Sequence, residues 1–328
     1  MTSLVRRRTL LASGLAAALA AGGCGREQQA TPEAKQRSRP PISLTHQFGS
    51  TKIPARPRRV VTMTGSWTDA LIALGVPITG EYVTRGYNGP DNKFEWTPAH
   101  RSEIVEMTDT TELSLERLAR FRPDLILAGY VPGKEIYSKF AQVAPTIPVM
   151  AAKAVLDPWQ DVTTTAGRIF GLEEKAGQLV DKTERQVEDF RKEFPAAAGK
   201  TFVFGQLTQD GQFGLVADEN DPATKLITAA TGLKLHPAIK TVAKGGSRVL
   251  VSAERIDLLG ADVVLMWPLV GGPEQFDKVA GWKSLPAAEN QTTIFLTNDN
   301  ASAFGNPTTY SVPYTLGLFR PAMEKLVG

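Results

Sequence analysis

Two tetrapeptides, Ser114-Leu115-Glu116-Arg117 and Ser252-Ala253-Glu254-Arg255, are the stretches whose residue types and spacing first invite a chemical reading. Each sets a hydroxyl two residues before a carboxylate. The same offset also carries Leu118 onto Ile256, Asp124 onto Asp262 and Leu127 onto Leu265. A serine followed by an acid in the first turn is a helix start. The hydroxyl accepts from an orphan backbone N–H, and the acid meets the positive end of the macrodipole for about 0.3–1 kcal/mol. Capping alone accounts for either copy. The matched frame adds something: one carboxylate at an equivalent place in each of two similarly built halves.

Other reactive groups do not assemble into a recognisable centre. His46, His100 and His236 are scattered and expected at the surface, with no His/carboxylate cluster of the kind that holds a metal. There is no phosphate-binding glycine loop and no G-x-G-x-x-G. Ser66 follows Gly65, but a nucleophile elbow needs a second flanking glycine and identifiable His and acid partners, which are lacking. No catalytic residues, no metal ligands and no resident cofactor are assigned.

The elements around these residues follow from hydrophobic periodicity. RRVVTM reads as a strand, TDALIALGV as a helix closed by Gly75, and ITGEYV, EIVEM, DLILAG and IPVMAA as further strands. After residue 195 the alternation returns, with strands TFVFGQL, FGLVA, DVVLMW and TIFLTND, a helix at ATKLITAATG and a closing helix from about Tyr314. Strands alternating with helical patterns predict βα units around mainly parallel sheets. Between the halves, Pro158 to Phe194 has helical periodicity with charges interspersed. A helix of that size extends roughly 50 Å, enough to run behind two lobes, with a break suggested near Phe170-Gly171.

Ligands of open parallel sheets sit beyond the carboxyl ends of the strands. The residues placed there are Trp67, Arg85, Tyr87 and Tyr130 in the first half. In the second they are Trp267, then Asn298 and Asp299, with Phe304 and Tyr310 in the following loop; Arg248, ahead of the second repeat, is a further candidate for the cleft. Aromatic faces with one or two guanidiniums suit a ligand that has apolar arms and a few partly negative oxygens. Plain packing explains any single aromatic equally well.

A chain of 328 residues is comfortable for two domains of about 100–200 residues each. At 42% hydrophobic and 22% charged it has the composition of an ordinary globular protein. The formal charge of +3 is supplied entirely by Arg6, Arg7 and Arg8. The remainder is balanced, which argues against a nucleic-acid partner. Those arginines open a basic, then apolar, then small-residue leader whose apolar core is shorter than the about 20 residues that span a bilayer. Arg7-Arg8-Thr9-Leu10-Leu11 resembles a twin-arginine signal, and Ala21-Gly22-Gly23-Cys24 resembles a lipobox, in which Cys24 becomes the lipidated first residue. Cys24 is the only cysteine, so neither lobe has a disulfide. Residues 25–41 are polar, contain proline and read as a tether.

Taken together, the leader, the lipobox, the P-x-R-V-V strand, TDALIALGV, LERLARFRPDLIL, the long helical segment and SAERIDLL resemble the ferric-siderophore and cobalamin substrate-binding lipoproteins of bacterial ABC importers. The resemblance runs from about Phe48 to the end. It implies two α/β lobes, each a mainly parallel sheet flanked by helices, joined by one long helix. The boundaries are a signal peptide over 1–23, a lipidated tether over 24–42, lobes over 43–155 and 196–328, and the connecting helix over 156–195. It further implies a binding protein rather than an enzyme, exported and lipid-anchored to the outer face of the cytoplasmic membrane. Its partners would be a ferric siderophore and a permease dimer that receives Glu116 and Glu254, and a monomer is expected. A pocket with few charges favours a hydroxamate chelate over a strongly anionic triscatecholate. Cobalamin and haem remain alternatives within the same transporter class, and a siderophore esterase is the alternative from another.

Overall fold

The computed structural model describes residues 40–328 apart from 54–55, 87–88, 109–112 and 153. The leader, Cys24 and Tyr87 therefore lie outside the described residues. The first lobe opens with a hairpin, β1 (Ile42–His46) and β2 (Gly49–Ile53), in the register Ile42↔Ile53 to His46↔Gly49. Its alternate residues Leu44 and Ile53 are buried, which docks the hairpin on the lobe core. A five-stranded parallel sheet follows: β3 (Val60–Thr62), β4 (Gly80–Thr84), β5 (Glu103–Met107), β6 (Leu125–Gly129) and β7 (Thr146–Pro148), in the order β5-β4-β3-β6-β7. Its helices are α1 (Gly65–Leu74), α2 (Leu115–Arg120) and α3 (Lys134–Val143).

The connecting segment consists of two helices, α4 (Trp159–Phe170) and α5 (Glu173–Glu193). Gly171 adopts φ 73 as the left-handed cap of α4, and Leu172 N–H returns to Gly167 O at 2.8 Å, so the helical ladder stops there. The 21 residues of α5 extend about 32 Å, so the single rod of greater length is replaced by an elbow. The elbow is packed closely: a Cβ on Gly167 would stand 2.5 Å from the Ala176 Cβ.

The second lobe contains β8 (Thr201–Leu207), β9 (Gln212–Val216), β10 (Lys234–Leu235), β11 (Arg248–Ser252), β12 (Val263–Pro268) and β13 (Thr293–Phe295). The order is β11-β9-β8-β12-β13, with β10 beside β8. The pairs β10–β8, β8–β12 and β12–β13 are parallel; β9 is antiparallel to both neighbours. Its helices are α6 (Pro222–Thr231), α7 (Pro237–Ala243), α8 (Pro286–Glu289), α9 (Asn298–Gly305) and α10 (Ser311–Val327).

Both sheets are covered on both faces, and so their central strands read as unbroken apolar runs. Leu125 and Leu127 enter one core while Ile126 and Ala128 enter the opposite one. Val263, Leu265 and Trp267 likewise face away from Val264 and Met266. The sequence repeat has a structural meaning within this scheme. Ser114 Oγ accepts from Arg117 N–H, and Ser252 Oγ accepts from Glu254 N–H, both at 3.2 Å. Asp124 accepts from the N–H groups of Arg58 and Arg59 ahead of β3, and Asp262 accepts from Thr201 N–H and its hydroxyl at the head of β8. Each Asp thus ties the head of its own strand to the neighbouring strand. The second copy of the helix is a 3-10 helix over Ala253–Leu259 rather than an α-helix.

Candidate functional site

At the carboxyl ends of β3 and β4 the first lobe meets α9 of the second around a cavity of about 400 Å³. Thr64, Gly65, Thr68 and Asp69 supply one wall, from the end of β3 and the start of α1. Glu81 on β4 and the β4–β5 loop residues Asn92, Lys93, Phe94, Thr97 and His100 supply a second, and Ser302, Gly305 and Asn306 close it from the other lobe. Three other hollows among the described residues are larger but less apt. One of about 590 Å³ lies against α4, α5 and α6, one of about 820 Å³ is formed by the second lobe alone, and one of about 600 Å³ lies between the end of α5 and the second lobe. Of these four, the cavity at β3 and β4 is the one that joins strand ends of one lobe to a helix of the other, which is where open α/β sheets take ligands.

Asp69 organises this junction. Its side chain is 1% exposed, yet three donors reach it from two other segments: Trp96 Nε1 at 3.2 Å, Thr97 Oγ1 at 2.8 Å and Thr308 Oγ1 at 2.6 Å. Burial pushes its carboxyl up to about 6; the three hydrogen bonds oppose that rise and the charge of Glu81 adds to it. A second tie crosses beside it, where the Tyr314 hydroxyl donates to Glu95 Oε2 at 2.8 Å and the Tyr314 ring lies 5.3 Å from Trp96. Trp96 in turn stacks on Phe94 at 4.4 Å. Deeper in the same wall, Glu81 Oε2 receives His100 Nε2 at 2.7 Å and Ser102 Oγ at 2.9 Å.

The residues expected at the cleft divide into three groups. Trp67, Trp267 and Phe304 are core residues, which corrects their placement beside a ligand. Helix α1 begins at once after β3, so Trp67 turns back onto Leu71 and Leu74. Trp267 keeps the inward phase of Val263 and Leu265, 5.3 Å from the ring of Phe204. Phe304 lies within α9 rather than in a loop and is 0% exposed. Arg248 is a second correction: it begins β11 opposite Val216, whereas the end of that strand level with the carboxyl edge of the sheet is Ser252. Its guanidinium lies 3.8 Å from Asp221.

The remaining residues lie near the strand ends. Tyr130, 46% exposed, follows β6 directly. Arg85 is exposed and donates to Glu106 at 3.1 Å; the same carboxylate accepts from Asn92 at 2.7 Å, and these two donors hold Glu106 below the usual range. Arg85 thereby braces a cavity residue without lining the cavity itself. Tyr310 N–H donates to Thr308 Oγ1 at 3.1 Å, and burial followed by the charge of Asp69 raises its phenol. Glu116 and Glu254 are exposed, Glu254 on the rim of a groove that includes Leu207 and Pro268 at the carboxyl ends of β8 and β12.

Sequence reasoning missed Asp69, Glu81, Trp96, Thr97 and His100. Two signals pointed to them. Asp69 is the sole charged residue of α1, and the loop from Arg85 to Arg101 is long enough to suggest a functional segment. The histidines are also corrected. His46 is buried and donates to or accepts from Thr51 at 3.0 Å, burial lowering its pKa, and His100 is nearly enclosed against Glu81. Among the described residues no group of three or more His, Cys, Asp or Glu side chains could hold a metal ion, and Ser66 Oγ meets Thr64 Oγ1 at 3.1 Å.

A family model described as "Periplasmic binding protein" matches residues 60–300. The chain is 23% identical over 282 residues to an Fe(3+)-citrate-binding protein of Bacillus subtilis (strain 168), a match covering 84% of each chain. It is 26% identical over 285 residues to an iron(3+)-hydroxamate-binding protein of the same organism, covering 84% of this chain and 85% of that one. Among solved structures it resembles PiaA of Streptococcus pneumoniae TIGR4 in complex with ferrichrome, with TM-score 0.70, 23% identity, and coverage of 87% of this chain and 99% of that one.

Proposed function

The chain belongs to the periplasmic binding protein family, and from that premise we propose that it captures a ferric chelate between its lobes outside the cytoplasm and delivers it to an ABC import permease. The observation that carries this reading is the cavity at the lobe junction, where hydroxyls, an amide and an aromatic face gather beyond the carboxyl ends of parallel strands. The relatives named for ferric citrate and ferric hydroxamate support iron as the cargo. A hydroxamate chelate is the favoured form. It presents apolar arms and a few weakly charged oxygens, which Phe94 and the threonine hydroxyls suit. A triscatecholate would call for several cations, and Lys93 is the one Lys or Arg side chain in the lining.

The rest of the reading concerns delivery. Glu116 and Glu254, one on each lobe, are the docking points for the permease, and Cys24 is the site of the lipid anchor. Among the described residues no helix is long and apolar enough to cross a membrane, which suits attachment by acyl chains. The protein acts as a monomer and performs no chemistry on its cargo.

Intrinsic fluorescence tests the reading directly. Trp96 stacks on Phe94, which lines the cavity, whereas Trp67, Trp267 and Trp282 are buried and Trp159 lines a different hollow. A ferric hydroxamate should quench emission saturably. Absence of quenching by ferric hydroxamate, ferric citrate, a ferric triscatecholate, haem and cobalamin alike, together with hydrolysis of an ester substrate, would overturn it.

A further inference from the structure

The charges lining the cavity are unevenly divided. Asp69 and Glu81 contribute two carboxylates, Lys93 a single ammonium and His100 an imidazole already paired with Glu81, while Arg85 is exposed and engaged with Glu106. Glu81 is 7% exposed on β4, and its position is set by two donors, His100 Nε2 at 2.7 Å and Ser102 Oγ at 2.9 Å. Among the described residues both donors converge on Oε2. The carboxylate is therefore held in place through one oxygen, on a residue that lines the cavity. A buried carboxylate in such a place rewards a cation or N–H donor on the ligand and repels a further anion, with little water to screen either effect.

We propose that Glu81 makes this cavity selective for a positively charged chelate: a linear ferric trihydroxamate with a free ammonium arm, in preference to the same chelate lacking that charge and to any polyanionic ferric complex. The inference rests on the ferric-chelate reading above and narrows it. Asp69 reinforces the preference through its proximity to Glu81, since their mutual repulsion is relieved when a cation enters. Asp69 accepts on both of its oxygens, from Trp96, Thr97 and Thr308, whereas both donors to Glu81 reach Oε2, which makes Glu81 the better-placed carboxylate for a ligand.

The test compares ferrioxamine B, which carries a terminal ammonium, with its N-acetyl derivative, which has the same iron-binding groups and no such charge. Both are titrated into the full protein and followed by tryptophan fluorescence. A charge-assisted contact predicts that the ammonium form binds about tenfold to a hundredfold more tightly. In Glu81→Gln, which keeps an oxygen for His100 and Ser102, the ratio should collapse toward one. Equal affinities in the unmodified protein, a preference that survives in Glu81→Gln, or tighter binding of a ferric triscatecholate would each overturn the proposal while leaving a ferric-chelate receptor standing. Binding of no iron chelate at all would remove both. The comparison in the unmodified protein needs no variant, and equal affinities there overturn the proposal even if Glu81→Gln fails to fold.

Discussion

Replacing Asp69 by Asn should make the protein more stable at neutral pH and less so, relative to the unmodified chain, in acid. The Asp69 carboxyl is raised from 3.8 to about 6, chiefly by burial. An acid raised in this way binds its proton more tightly folded than unfolded. Its folded state therefore loses stability as pH climbs from about 4 to about 6, and the full penalty remains above that window. At roughly 1.36 kcal/mol per pH unit, the gap between 3.8 and about 6 amounts to about 3 kcal/mol. Asn removes this penalty but replaces one acceptor oxygen by an amide donor. One of the donors from Trp96, Thr97 and Thr308 then loses its partner or must rotate, at a cost of about 1 kcal/mol. The expected net gain is about 2 kcal/mol at pH 7.5, shrinking and then reversing toward pH 4. Urea unfolding of both proteins between pH 4 and pH 8, read as the difference between them, cancels the titrations that the substitution leaves unchanged. A difference that stays flat over that range, or grows in favour of Asn on acidification, would refute the reasoning.

Three further outcomes follow from contacts already described. Gly167→Ala sets a methyl group 2.5 Å from Ala176 Cβ and should cost about 1–3 kcal/mol, seen as a lowered Tm, by prising apart the α4–α5 elbow. Asp124→Ala and Asp262→Ala each strip an acceptor from a strand head and should destabilise in urea unfolding, by about 1 kcal/mol at the exposed Asp124 contacts and by about 1–3 kcal/mol at the partly buried Asp262 contacts. Glu116→Ala combined with Glu254→Ala should leave chelate affinity unchanged in titration while cellular uptake of the iron complex falls, and normal uptake would exclude a docking role.

The repeat was legible in the sequence because it records local physics. Serine caps and the strand-tying Asp124 and Asp262 act on backbone groups within their own lobe, so matching residues at matching spacing report matching structure. The α/β alternation and the elbow at Gly171 were legible for the same reason. The aromatics were not. Placing Trp67 and Trp267 at strand ends considered position along the chain and neglected phase. The spacing of Trp67, Leu71 and Leu74 is that of a buried helix face, and Val263, Leu265 and Trp267 share one side of a strand. The cavity itself was out of reach, since its walls join residues near position 69 to residues near 305 and no local pattern encodes that meeting. Short strands β10 and β11 and the hairpin β1–β2 escaped because their pairing partners, rather than their own composition, make them strands.

The hydrogen bond from Thr308 to Asp69 spans 239 positions of chain. While the polypeptide is being made, the first lobe can collapse on its own cores, but Asp69 must wait for almost the whole molecule before its last donor arrives. The site at the lobe junction is thus completed by a segment far along the chain from the one that begins it, so its integrity reports the pairing of both lobes rather than the folding of either.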